Sequence, residues 1–340
     1  MRILFIGFGT VGQGLAELLL EKKNTLLKEY GLDFTTIGIS DTLKGSIFNP
    51  KGIDLRKALE TVKKAAPLSE GAGENYPGDA LAMIQEANAD VMLEATYTDI
   101  KTAEPATSHI KKAIERGMHV VTTNKGPVAL YYNELNSLAK NKGVQFLFEG
   151  TVMSGTPVLN LFRETLAGST IQEIKGILNG TTNYILTRME EGLSYEEALK
   201  KAQEFGYAEA VPDADVLGWD ALAKVTILAK VIFGAKGKPF DYPCEGITGI
   251  SSSAIVDAKS RGKRFKLIGK IWQEGNLVKT SVEPEEIDLS HPLAGVMGAT
   301  NAITITTDTL GEVTIVGPGA GKRETGYSML VDLIKIGGQK

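Results

Sequence analysis

Cysteine, histidine and tryptophan are nearly missing from this chain of 340 residues, which has one Cys, three His and two Trp. A single thiol, Cys244, forms no internal disulfide and cannot build a cysteine-based zinc site. It stands between Pro243 and Glu245 with no histidine near it in sequence. It therefore reads as a buried or loop cysteine, and thioester-forming aldehyde dehydrogenase chemistry is not expected. His109, His119 and His291 are scattered and lack metal-ligand spacing. No G-x-S-x-G motif occurs, which excludes the α/β-hydrolase nucleophile turn. No apolar run approaches the ~20 residues of a membrane span. Met1 leads straight into an apolar stretch, leaving no room for a signal peptide. There is no basic block, and the net charge is −4; neither nucleic acid nor a membrane is an expected partner. The cytoplasm is the expected compartment.

What the chain has in quantity is apolar and small residues. Hydrophobic residues make up 43% and charged residues 23%, enough for a packed core and too little charge for global disorder. The length suits two domains better than one. Arg2–Ile6 is a short apolar strand running into G-F-G-T-V-G at Gly7, Phe8, Gly9, Thr10, Val11 and Gly12, and a helical pattern follows at Leu15, Leu18 and Leu19. Gly7 allows the tight turn, Gly9 lets the backbone approach a pyrophosphate, and Gly12 lets the helix pack closely on the strand. The helix amino terminus then faces the phosphates. A nicotinamide dinucleotide, NADP or NAD, is the expected cofactor.

The next strand, 35–40, ends at Asp41. An acid there is placed to accept from the adenosine ribose and to disfavour a 2′-phosphate. Ser40, Thr42 and Lys44 beside it could instead bind that phosphate, so the choice of cofactor stays open. Strands are expected at 90–96, 119–124 and 144–149, with helices at 103–116 and 131–142 between them, as a doubly wound sheet requires. Residues 44–79 are rich in Gly, Pro and Lys and read as one helix, 55–65, among loops. Ligands of such sheets gather at the carboxyl ends of the strands, which singles out Thr96, Lys125 and Glu149. The small-residue stretch 149–157 can form tight turns with carbonyls pointing inward, suited to a hard cation or to a hinge.

Beyond Thr156 the alternation stops. Helices are expected at 157–166 and from Asn179, with Thr181 or Thr182 as cap, and at 194–204 with Ser194 and Glu197 as a capping box. Hairpin signals at 265–282 and 301–316 indicate a mostly antiparallel sheet. A last helix, 324–336, suits packing against the amino-terminal half. The fold class is therefore α/β: a Rossmann domain, 1–150 with 317–340, plus an α+β substrate domain, 151–316. The stretch Gly206–Lys224 gathers Glu209, Asp213, Asp215, Asp220 and Lys224. A helix from about Val216 to Val231 would put Asp220 and Lys224 on one face. It leaves that face little polar company, because Leu222, Val225, Ile227 and Leu228 surround it. A lysine in such surroundings, with a carboxylate aimed at it, can trade a proton with a substrate. The loop acids could hold an ammonium group.

Taken together, the G-F-G-T-V-G loop, T-N-K ending at Lys125, E-G-T-V-M-S-G-T-P from Glu149, G-I-L-N-G-T-T-N-Y ending at Tyr184, the Gly206–Lys224 run and G-P-G-A-G ending at Gly321 closely resemble the homoserine dehydrogenase family over nearly the whole chain. The resemblance implies NAD(P)H-dependent reversible reduction of L-aspartate 4-semialdehyde to L-homoserine, on the route to threonine and methionine. It makes Lys224 the proton donor and acceptor, and Glu209 and Asp220 the substrate ligands with Asp215 nearby. Lys125 would stand between cofactor and substrate, with Gly9, Thr10, Val11, Thr96 and Gly321 lining the nucleotide. Glu149, Val152, Ser154 and Thr156 would hold a monovalent cation, typically sodium, through backbone carbonyls. A homodimer is implied as well. The chain departs from many relatives at Glu209–Pro212, where Glu-x-Asp-Pro is replaced by Glu-Ala-Val-Pro; one loop acid is missing. About two dozen residues follow Val316, so threonine feedback through a carboxy-terminal regulatory domain is not expected. Two other readings are a dehydrogenase of the same architecture for another small amino or hydroxy acid, and a nucleotide sensor with a vestigial site.

Overall fold

A computed structural model describes residues 1–338. The chain forms two compact units, Met1–Gly155 together with the segment from Gly321, and Thr156–Ala320. These boundaries lie a few residues beyond those read from the sequence.

The first unit is built on a six-stranded sheet ordered β3-β2-β1-β4-β5-β6, from β1 (Arg2–Ile6), β2 (Thr35–Asp41), β3 (Gly45–Phe48), β4 (Val91–Glu94), β5 (His119–Thr122) and β6 (Phe146–Leu147). All neighbours are parallel except β2 and β3. The central strands are continuous apolar runs, and Ile3, Leu4, Val91, Met92, Val120 and Val121 are fully buried, as a sheet covered on both faces demands. The chain reverses its direction of winding between β1 and β4, so the Rossmann expectation holds. One element departs from it. The segment 44–79 supplies β3 as well as the expected helix, Leu55–Lys63. Gly45, at φ +82°, closes the tight turn that folds β3 back on β2.

Helix Lys125–Lys142 begins six residues earlier than the sequence pattern indicates. Asn124 caps it by accepting from the Gly126 amide at 3.1 Å, and Pro127 sits in the first turn, where its missing N–H costs nothing. Tyr131, at φ −123° and ψ 15°, kinks the helix, which is why only the second segment read as regular. Helix Lys322–Gly337 joins the same unit and lies against Thr10–Glu21. A Cβ on Gly326 would come within 2.6 Å of the Leu15 amide nitrogen, so the two helices approach backbone to backbone.

The second unit carries a five-stranded sheet ordered β11-β10-β7-β8-β9, with β7 (Ile171–Ile177), β8 (Lys263–Glu274), β9 (Leu277–Asp288), β10 (Thr300–Thr307) and β11 (Gly311–Pro318). The five strands pair with one another only antiparallel among the described residues, as expected for the α+β part, and one isolated parallel bridge joins Cys244 to Val282. The apolar face, with Ile174, Ile271 and Ile305, is covered by helix Trp219–Phe233: a Cβ on Gly269 would reach 2.5 Å from Val225 Cγ2. The expected helix at 157–166 instead widens into a π-helical turn over Leu161–Thr165.

Candidate active site

The Gly-rich loop folds as its glycines require. Gly7 sits at φ +93° and its missing Cβ would collide with the Ala95 carbonyl, so it is fixed by both conformation and space. A Cβ on Gly12 would lie 2.6 Å from the Gly7 carbonyl oxygen. At Gly9 a Cβ would meet nothing within 4 Å, so the loop is open there, as a phosphate-binding turn needs. Helix Thr10–Glu21 starts immediately after and has no side-chain cap. Its first amides are thus without a capping side chain, the arrangement that favours an anion. These residues fit a dinucleotide.

Asp41 is tied into the same loop. Its Oδ2 accepts from the Phe8 amide at 2.8 Å. Its Oδ1 accepts from the amides of Leu43 and Lys44, both at 3.0 Å, and Lys44 Nζ stands 3.6 Å away. The carboxylate is a staple between the Gly-rich loop and the β2–β3 turn, with most of its acceptor capacity in use.

At the other side of β1, Glu94 ends β4 and is fully buried. Burial pushes its carboxyl pKa up, while hydrogen bonds from Thr96, Thr122 and Asn124 oppose that shift. Thr96 donates to it through both its amide, at 3.0 Å, and its hydroxyl, and Thr122 Oγ1 donates at 2.7 Å. Lys125 is the first residue of the Asn124-capped helix.

The acid–lysine stretch folds in two pieces. The expected helix from Val216 is broken by Gly218 at φ +85°. Asp213–Val216 makes one helical turn and Trp219–Phe233 the main helix. Asp220, in the first turn, is favoured there by the helix dipole. Lys224 follows one turn later and is 6% exposed. Its Nζ donates to Asp220 Oδ2 at 2.8 Å and to the Leu178 carbonyl at 2.5 Å. The expected pairing of Asp220 with Lys224 is therefore present.

Asn179 completes the cluster and was not anticipated in this role. Its Nδ2 donates to Asp215 Oδ1 at 2.6 Å and to Asp220 Oδ2 at 3.0 Å. Its Oδ1 accepts from the Thr182 amide at 2.9 Å, so Asn179, and not Thr181 or Thr182, caps helix Gly180–Glu190. Thr181 Oγ1 instead donates to the Tyr207 carbonyl at 2.5 Å, fixing the start of the Gly206–Pro212 loop. Burial, then the charge of Asp220, raises the Asp215 pKa, against the opposing effects of Asn179 and Lys224. Asn179 thus links Asp215 to the Asp220–Lys224 pair, bringing two carboxylates and one ammonium into one cluster. Glu209 lies on the same loop with its side chain exposed.

In the stretch from Glu149, a tight turn spans Glu149–Thr151, and Met153 and Ser154 both adopt left-handed backbone at φ +56° and +52°. Such a pair costs of the order of 1–3 kcal/mol per residue and persists only where surroundings impose it. Glu149, Val152, Met153 and Ser154 are buried, and Thr156 opens the second unit. Consecutive irregular turns of this kind can aim carbonyl oxygens at a common point, the kind of donor set that a hard cation takes. The remaining candidate groups are structural. His119 and His291 accept backbone amides at 2.9 and 3.1 Å, and burial pushes the Cys244 thiol up to about 11, which keeps it un-ionised.

Two family models match in sequence. One, described as homoserine dehydrogenase, covers residues 157–334; the other, described as homoserine dehydrogenase NAD binding domain, covers residues 7–149. The chain belongs to the homoserine dehydrogenase family. An NAD(+)-dependent homoserine dehydrogenase of Pseudomonas canavaninivorans is 44% identical, covering 98% of this chain and 96% of that protein. Homoserine dehydrogenase of Methanocaldococcus jannaschii is 42% identical over 99% of this chain and 98% of its own length. Among solved structures, a hyperthermophilic archaeal homoserine dehydrogenase in complex with NADPH superimposes with a TM-score of 0.83 at 33% identity, covering 98% of this chain and 96% of that one. Membership in the homoserine dehydrogenase family makes this chain an NAD(P)-dependent oxidoreductase, as the sequence resemblance implied. No described helix is long and apolar enough to cross a membrane.

Proposed function

We propose that the chain interconverts L-aspartate 4-semialdehyde and L-homoserine by hydride transfer to and from a nicotinamide, with Lys224 moving the proton. The Lys224–Asp220–Asn179–Asp215 constellation carries this reading. A lysine held by one carboxylate and one carbonyl can give a proton to the aldehyde oxygen as the hydride adds to the carbon and the C=O π pair moves onto that oxygen, and take it back in the reverse direction. Asp220 orients the ammonium through their 2.8 Å hydrogen bond. Asp215, Asp220 and, from the loop, Glu209 supply the negative charge that a substrate ammonium would neutralise. Lys125, at a capped helix start in the first unit, is assigned to the cofactor–substrate boundary. The test is direct turnover with aspartate semialdehyde and with homologues one methylene longer or shorter. Equal rates for all three would sink the homoserine assignment.

The nicotinamide cofactor supplies the hydride. Gly7–Gly12, Thr96 and Gly321 would hold it, and both NAD and NADP are accepted in this reading. Support comes from Asp41, whose carboxylate is engaged with backbone amides and Lys44 and so neither commits to a ribose nor stands alone against a 2′-phosphate. Asp41→Ser is therefore expected to weaken NAD and NADP alike, by roughly tenfold for the loss of a charge-assisted staple. Steady-state kinetics with both cofactors check it, and a selective gain for NADP would show Asp41 acting on the ribose.

A sodium-like cation bound by the carbonyls of Glu149, Val152, Ser154 and Thr156, a cytoplasmic location beside the nicotinamide pool, and a homodimer complete the proposal. The dimer is assigned to the sheet face of Glu173, Lys270 and Thr304. There Lys270 pairs with Glu173 at 3.0 Å and lies over the Trp272 ring at 4.9 Å, and Thr304 bonds Thr314 at 2.8 Å. This ordered, half-buried polar face suits a second copy of itself. Sedimentation at the mass of one 36.4 kDa chain would remove it.

A further inference from the structure

We propose that Glu94 is a positioning residue that sets the nicotinamide half of the cofactor site, by locking the carboxyl ends of β4 and β5 together. The proposal rests on the dinucleotide reading above and assigns a residue that the motifs do not mark.

A fully buried carboxylate closing an apolar strand is costly unless donors surround it. Glu94 has them, and each donor belongs to a segment at the same edge of the sheet. The Thr96 amide and hydroxyl bind Glu94 Oε1 and fix the bend that follows β4. Thr122 Oγ1, at the end of β5, binds Oε2 at 2.7 Å. That hydroxyl in turn accepts from the Asn124 amide at 3.0 Å. Asn124 then does two things: its Oδ1 caps the helix that begins at Lys125, and its Nδ2 donates to the Tyr97 carbonyl at 2.9 Å. The path runs from Glu94 through Thr122, Asn124 and Tyr97 back to Thr96 and Glu94. It is a closed ring that extends beyond the last paired position, Glu94 opposite Thr122, and joins the two loops that follow. The carboxylate takes one loop's donors on Oε1 and the other's on Oε2, and an amide in its place would keep only one acceptor oxygen.

Sheet order says which half of the cofactor this ring serves. β1 lies between β2 and β4, and its Gly-rich loop places the pyrophosphate at the switch between the two halves of the sheet. The adenosine belongs on the β2 side, at Asp41. The nicotinamide then extends over the ends of β4 and β5, where the ring lies. A purely structural ring would stabilise the fold without distinguishing one end of the cofactor from the other. A positioning ring acts on the nicotinamide end alone.

The experiment compares wild type with Glu94→Gln and Thr122→Val. NADH affinity is read by fluorescence titration, ADP-ribose affinity by calorimetry, and folding by thermal melts. ADP-ribose has the adenosine and pyrophosphate but no nicotinamide. Both variants are expected to bind NADH about tenfold more weakly, one charge-assisted hydrogen bond's worth, and ADP-ribose within about twofold of wild type. Should Glu94→Gln fail to fold, Thr122→Val, isosteric and uncharged, carries the same comparison. Folded variants that bind NADH as wild type does, or that lose both ligands equally, overturn the positioning role. Wild type binding neither ligand overturns the dinucleotide reading beneath it, a separate and recognisable result.

Discussion

Lys224→Ala is expected to lower turnover at least ~100-fold, the low end of general acid–base catalysis, with NADH affinity unchanged. The expectation follows from the side chain's surroundings. Lys224 is nearly buried and has two fixed acceptors, Asp220 Oδ2 and the Leu178 carbonyl. It is therefore held in one place rather than solvated. It belongs to the second unit, whereas the Gly-rich loop belongs to the first, so cofactor affinity is the internal control. Alanine also removes the cation from beside two carboxylates, so a loss of stability accompanies the loss of rate, and melts must show that the variant is folded at the assay temperature. Lys224→Arg separates charge from proton transfer. A guanidinium keeps the positive charge but does not deprotonate in a protein, so Arg is expected to restore stability better than it restores rate. Near-normal turnover in either variant would take Lys224 out of the mechanism.

The acid–lysine pair could be read from sequence because it is local. Asp220 and Lys224 are four residues apart, and helical geometry alone brings them together. Asn179 could not be read in the same way. It reaches Asp215 and Asp220 across 36 and 41 residues of sequence, and nothing in periodicity reports such a contact. The one available signal was the cap: an Asn directly before a helical pattern is a better N-cap than the threonines that follow. The break at Gly218 was missed for a related reason. A single glycine inside an apolar helical pattern reads as tolerated, while here it supplies the left-handed residue that separates Asp215 from the main helix.

The first unit shows the same division. Strands buried on both faces announce themselves as apolar runs, and the Gly-rich loop is defined by spacing. β3 is only four residues long, Gly45–Phe48, and is an edge strand held by a tight turn at Gly45; so short a run within a Gly-, Pro- and Lys-rich segment pointed to loop. Glu94 was not singled out: the apolar strand read through to Thr96, and the partners Thr122 and Asn124 come from the next strand end. Glu209 marks the opposite limit. Its role comes from resemblance to the family, while the isolated chain shows its side chain exposed.

Gly9→Ala is expected to fold as wild type does and yet to bind NADH roughly fivefold to 150-fold more weakly, since inserting a methyl into a close contact costs roughly 1–3 kcal/mol. Gly9 has φ −74° and ψ −155°, an extended conformation open to any residue, and a Cβ there meets no protein atom within 4 Å. Alanine also narrows the unfolded ensemble, so the melting temperature should hold or rise slightly. The methyl group would instead occupy the open side of the turn, where the pyrophosphate comes closest to the backbone. Gly12→Ala gives the contrast. Its Cβ would sit 2.6 Å from the Gly7 carbonyl, a backbone collision, so that variant should lose stability before binding can be measured. Gly7→Ala, at φ +93° against the Ala95 carbonyl, should behave like Gly12→Ala. Melts and NADH titrations on the three variants therefore sort the glycines into one that faces the ligand and two that build the turn. A Gly9→Ala protein with unaltered NADH affinity would mean that the open side of the loop is not where the phosphates lie.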